Sequence, residues 1–133
     1  MLVIADSARS RAATVELLAR AGYRVFELPS TIGATRSVVR NKLSTVVVDV
    51  SENGLCCEKL VAALRSTPRS GELVIILVSE KEQAETSRLE ATSEVDAVLA
   101  KSELASSLLQ TLQHALLRRR LGRSLGLISA LSA

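Results

Sequence analysis

Apolar residues fall in short, regularly spaced blocks along the chain, and the blocks have two characters. "LVIA" (Leu2–Ala5), "YRVFEL" (Tyr23–Leu28), "TVVVDV" (Thr45–Val50), "LVIILV" (Leu73–Val78) and "AVLA" (Ala97–Ala100) are brief and mostly rich in β-branched residues. Continuous runs of this kind predict strands covered on both faces. The segments between them repeat their apolar residues at helical spacing. Ser7–Ala21 carries Val15, Leu18 and Ala19 and stops at Gly22; Thr31–Lys42 carries Ile32, Val38 and Val39. Cys56–Ser66 carries Leu60, Val61 and Leu64 and ends before Pro68. Lys81–Glu90 is highly polar and is expected to be the most exposed helix, while Glu103–Arg120 carries Leu104, Leu108, Leu112 and Leu116.

Strand and helix therefore alternate five times. Alternation predicts an α/β fold: a parallel sheet with right-handed crossovers and helices on both faces. Such sheets bind ligands outside the carboxyl ends of their strands. The residues at those ends are Asp6, Asp49, Ser79 and Lys101. Two carboxylates, a hydroxyl and an ammonium thus come to one edge, where they can share a pocket. Taken singly, Asp49 also reads as an ordinary turn carboxylate and Lys101 as a surface lysine.

Composition narrows the chemistry. The chain's 133 residues suit one domain with a real core, and 47% of them are hydrophobic. Aromatic residues are 2% of the chain, which leaves almost nothing for stacking nucleic-acid bases. The net charge is +3, and much of the excess sits in Arg118, Arg119, Arg120 and Arg123, a run that reads as a solvated helix face before it reads as a nucleic-acid contact. Cys56 and Cys57 are adjacent, which suits neither an unstrained disulfide nor a zinc site, so a reduced, cytoplasmic chain is expected. No basic flank precedes a long apolar stretch, and no run is long enough to span a bilayer. Neither GxxxxGK[ST] nor GxGxxG is present, so nucleotide hydrolysis and dinucleotide binding find no support.

Over residues 1–117 the chain resembles the receiver domain of two-component response regulators, in an atypical form. "LVIADSARSRAATVELLARAGYRV" looks like that family's first strand, acidic corner, first helix and second strand, and its spacing to Asp49 needs no gap. "VVVDV", "LVIILVS" and "VDAVLAKS" look like the phospho-acceptor strand, the strand with its Ser/Thr, and the strand with its lysine. The resemblance implies a flavodoxin-like, doubly wound five-stranded parallel sheet of order 2-1-3-4-5. It implies that Asp49 accepts the phosphoryl group and that Asp6, Asp49 and the backbone carbonyl of Ser51 hold Mg²⁺. It also implies that Ser79 contacts a phosphoryl oxygen and that Lys101 pairs with the phosphoryl group or with Asp49. A signalling module, not an enzyme, is expected, served by a histidine kinase or phosphotransfer protein and acting on an output protein or effector domain. A homodimer through the fourth helix, fifth strand and fifth helix belongs to the same expectation.

The chain departs from that pattern at several positions. Ala5 replaces an acid, which weakens the metal site, and Asn53 and Ser102 replace prolines. Glu80 stands where the family has a small residue, and Val98 stands where it has an aromatic switch. A pseudo-receiver acting by phosphorylation-independent protein contacts or dimerisation is therefore the alternative. Residues 118–133 are expected to form a helical extension or linker, since Leu117, Leu121, Leu125 and Ile128 recur at helical spacing, although Gly122 and Gly126 weaken the pattern.

Overall fold

The computed structural model describes residues 1–50, 57–80, 84–92 and 94–132. Its strands are β1 (Leu2–Ile4), β2 (Phe26–Leu28), β3 (Thr45–Val50), β4 (Val74–Ser79) and β5 (Ala97–Ala100). Its helices are α1 (Ala8–Arg20), α2 (Ala34–Arg40), α3 (Cys57–Arg65), α4 (Ala84–Ala91) and α5 (Leu104–Ser132). The strands form one sheet of order β2-β1-β3-β4-β5, and every neighbouring pair is parallel.

Side-chain alternation divides the aliphatic runs between two cores. Val46, Val48, Val50, Ile75 and Leu77 face Ala34 and Val38 of α2, Leu60, Val61 and Leu64 of α3, and Leu89 of α4. Val47, Val74, Ile76 and Val78 face Leu18 of α1 and Leu108, Leu112 and Ala115 of α5. All six residues of β3 and all six of β4 are buried, which is why these strands read as continuous apolar runs.

The expected elements are all present, and two of them begin later than expected. The second strand begins at Phe26 instead of Tyr23, because the intervening backbone closes α1: Gly22 adopts φ +94°, its N–H bonds Ala19 O, and the Tyr23 N–H bonds Leu18 O. This is the left-handed helix cap that glycine permits. The second helix begins only after Gly33, also at positive φ, so Ile32 stays outside it and is 83% exposed, and Val39 is exposed as well; Ala34 and Val38 make the buried stripe. The fourth helix is anchored by Leu89, which is 3% exposed. The fifth helix runs on to Ser132 through Gly122 and Gly126, which is the helical extension expected of this stretch.

At the amino-terminal edge of β4 and β5 lies an ionic cluster that the sequence did not announce. The Asp96 carboxylate accepts from the Ile75 N–H (2.8 Å), Arg65 Nη2 (3.2 Å) and Arg119 Nε (2.8 Å). Arg65 also donates to the carbonyls of Ser70, Leu73 and Glu94, and Arg119 to that of Gly71. Burial lowers the Arg65 pKa, with the Arg119 charge adding to the effect and Asp96 opposing it. Arg118 bonds the Asp96 carbonyl at 3.3 Å, so two arginines of the basic run are engaged with the fold. At the outer edge of the sheet, the Val98 N–H donates to Glu90 Oε2 of α4 at 2.9 Å.

Candidate functional site

The register explains why the strand-end residues meet. Ile4 lies beside Val48, Asp49 beside Val78, Val50 beside Ser79, and Ser79 beside Ala100. The carboxyl ends of β1, β3, β4 and β5 therefore finish at nearly one level. Asp49, within β3, shares the parity of Val47 and so lies on the α1/α5 side of the sheet, while Glu80 and Lys101 directly follow the ends of β4 and β5.

Asp49 is buried, 8% exposed. Its Oδ2 lies 3.5 Å from Lys101 Nζ. Its Oδ1 is buried with no hydrogen-bond partner among the described residues. Burial raises the Asp49 pKa above the ordinary carboxylate value; Lys101 pulls it back, while the charges of Asp6 and Glu80 push it further up. A carboxylate with a bare buried oxygen is costly unless a cation or a donor reaches it. The site thus holds a poised, incompletely satisfied oxygen acceptor.

Asp6 is exposed in the turn between β1 and α1, directly before Ser7, whose hydroxyl caps that helix by accepting from the Ser10 N–H. Its electrostatic effect on Asp49 places the two carboxylates in one field. Ser79 is buried at the end of β4. Lys101 follows β5 and opens a 3₁₀ turn leading into α5; its side chain is one-third exposed. Ser51, Asn53, Gly54 and Cys56 lie outside the described residues. Val98 is partly buried against the α2/α3/α4 core. His114 is exposed on α5.

Two contacts at this edge have no sequence signature. Glu80 Oε1 lies 3.5 Å from Lys101 Nζ, so the ammonium is shared between two carboxylates. Strand adjacency of β4 and β5 brings Lys101 to Glu80; Lys81 lies outside the described residues. On the other side, Arg11 Nη1 donates to the Ala5 carbonyl at 2.8 Å and Arg11 Nε pairs with Glu27 at 3.1 Å. Where the resemblance leads one to expect an acid, the end of β1 carries a methyl group and a guanidinium-bound carbonyl.

Oxygen donors on Asp6 and Asp49, with a bare Asp49 oxygen, fit in kind the hard oxygen ligands that a divalent cation of the Mg²⁺ type takes alongside water. Among the described residues, no group of three or more His, Cys, Asp or Glu side chains could hold a metal ion. No described helix is long and apolar enough to cross a membrane.

No family model and no curated protein matches the chain in sequence. Solved structures do match. A CheY-like response regulator receiver domain from Methanospirillum hungatei JF-1 superposes with TM-score 0.77 at 18% identity, over 91% of this chain and 95% of that one. The chemotaxis protein CheY4 of Vibrio cholerae gives TM-score 0.76 at 22% identity, over 86% and 96%. A response regulator receiver domain from Clostridium thermocellum gives 0.74 at 20% identity, over 90% and 95%. With its strand order β2-β1-β3-β4-β5, the chain has the flavodoxin-like fold of CheY-like response-regulator receiver domains.

Proposed function

We propose that the chain is a signal-receiver module that accepts a phosphoryl group on Asp49 from a histidine kinase or phosphotransfer protein. The observation that carries this reading is the Asp49 carboxylate: buried at the open edge of β3, one oxygen bare and the other 3.5 Å from Lys101. Transfer forms a bond between an Asp49 oxygen and phosphorus and breaks the bond from phosphorus to the donor's imidazole nitrogen, which keeps the electron pair. Asp49 must be ionised to attack, and its raised pKa keeps it a stronger nucleophile than an ordinary carboxylate. Lys101 offsets the charge of the arriving phosphoryl oxygens, and the Ser79 hydroxyl, at the neighbouring strand end, is a donor for them. Asp6 and Asp49 would hold Mg²⁺, with Ser51 the third expected contributor; the cation would supply neutralisation of the converging negative charges. Ala5 makes that binding weaker than a paired acid would.

The partners in this reading are a phosphodonor protein and an output protein or effector domain, in the cytoplasm. A homodimer through α4, β5 and α5 fits the same scheme. One observation favours a second reading, a pseudo-receiver that acts through phosphorylation-independent protein contacts: Glu80 already places a carboxylate on Lys101.

Incubation with acetyl phosphate and Mg²⁺, followed by intact mass, separates the two. A gain of one phosphoryl group on the wild type and none on Asp49→Asn is the expected result. No adduct on the wild type at high metal would overturn the phospho-acceptor reading.

A further inference from the structure

Three carboxylates share this edge: Asp49 and Glu80 both pair with Lys101, and the charge of Asp6 acts on Asp49. The three are not equivalent. Asp49 is the inner partner of Lys101, with its side chain 10% exposed, whereas Glu80 is the outer partner, 56% exposed. Glu80 also follows the last residue of β4 directly, so the end of the strand fixes where its backbone departs. A group approaching Asp49 from solvent on the Lys101 side therefore meets Glu80 first.

Resting on the receiver reading above, we propose that Glu80 is a built-in brake on phosphorylation: a carboxylate that competes with the incoming phosphoryl group for Lys101. The physical argument has two parts. A lysine ammonium is a compact charge that one partner partly neutralises for the other. In the resting chain it is divided between Asp49 and Glu80, at 3.5 Å each, and its full charge is not available to the phosphoryl oxygens until Glu80 lets go. Glu80 also adds its own negative charge at the mouth, which repels a dianionic donor. During transfer from acetyl phosphate an Asp49 oxygen bonds to phosphorus, the bond from phosphorus to the acetyl oxygen breaks, and acetate leaves with the electron pair. The charge on the transferred oxygens then needs Lys101, and Glu80 turns to solvent. Glu80 bonds to neither donor nor product in this scheme; it acts by holding Lys101 and by its charge.

The test compares initial rates of adduct formation for the full chain, E80Q, E80D and Lys101→Met, with and without E80Q. Two donors are used: acetyl phosphate, and phosphoramidate, which carries less negative charge. For a solvent-screened charge, E80Q should speed reaction with acetyl phosphate about two- to fivefold. The gain should be smaller with phosphoramidate, shrink at high salt, and shrink again when Lys101 is methionine, while E80D keeps the wild-type rate. Equal rates for wild type and E80Q would overturn the brake and leave Asp49 as acceptor. A gain that is the same for both donors and indifferent to Lys101→Met would show simple relief of crowding and would equally overturn it. No adduct on either protein would overturn the receiver reading, and the brake with it.

Discussion

At the residue scale, the burial of Asp49 is a cost to stability. Its pKa stands above the unfolded value chiefly because burial penalises the charged form. A carboxylate shifted in that direction costs the folded state nothing at a pH below the unfolded pKa, about 4, and its full penalty above the folded pKa. Asp49→Asn should therefore be more stable than the wild type near neutral pH, with the difference fading as pH falls towards about 4 and absent below it. Thermal melts across that range check it; a constant or inverted difference would mean that Lys101 more than compensates for burial. The identity of Asp49 was legible in the sequence because an acid ending an apolar strand is conspicuous. The Glu80–Lys101 pair was not, since the two residues are separated by an entire crossover and meet only through the β4–β5 register.

At the element scale, the helices were legible as amphipathic patterns, but what locks them was not. Leu60, Val61 and Leu64 in α3, and Leu108 and Leu112 in α5, are buried as their spacing implies. The cluster of Arg65, Asp96 and Arg119 joins the end of α3, the approach to β5 and the middle of α5. Nothing in a single sequence says that an arginine in a basic run turns inward, because the decision depends on a carboxylate 23 residues away. Asp96 has a side chain only 7% exposed, so removing it takes the carboxylate from two guanidinium groups, which keep only carbonyl partners, and the side-chain acceptor from the Ile75 N–H. Asp96→Ala should cost about 2 to 4 kcal/mol in chemical denaturation. A loss below about 1 kcal/mol, the range of exposed pairs, would show that water replaces the carboxylate freely.

At the scale of the whole molecule, the sheet is strongest at its centre and weakest at β2. β3 and β4 are paired over six positions, whereas β2 holds β1 over three and its residues are only half covered or exposed. Opening of β2 should therefore precede global unfolding. Hydrogen exchange is expected to run at least about a hundredfold faster at Phe26 and Leu28 than at Val46 to Val48, given ordinary domain stability. Uniform protection across the sheet would indicate a single cooperative unit instead. The fold class was legible because β3 and β4 must be covered on both faces and alternate with helices, whereas the strand order came from the resemblance to receiver domains. The length of β2 was not, because the cap at Gly22 claims the residues that the apolar pattern assigned to a strand.

The Glu90–Val98 hydrogen bond has a consequence beyond holding α4 to the sheet. β5 is the outermost strand on its side, and an outermost strand offers unmade backbone bonds on which a foreign strand can grow. Here one of those donors is already taken by a side chain of the protein itself, and the carboxylate that takes it puts a charge along the path of any intruder. The sheet is thus finished on this flank without a further strand, and copies of the protein are discouraged from joining there backbone to backbone.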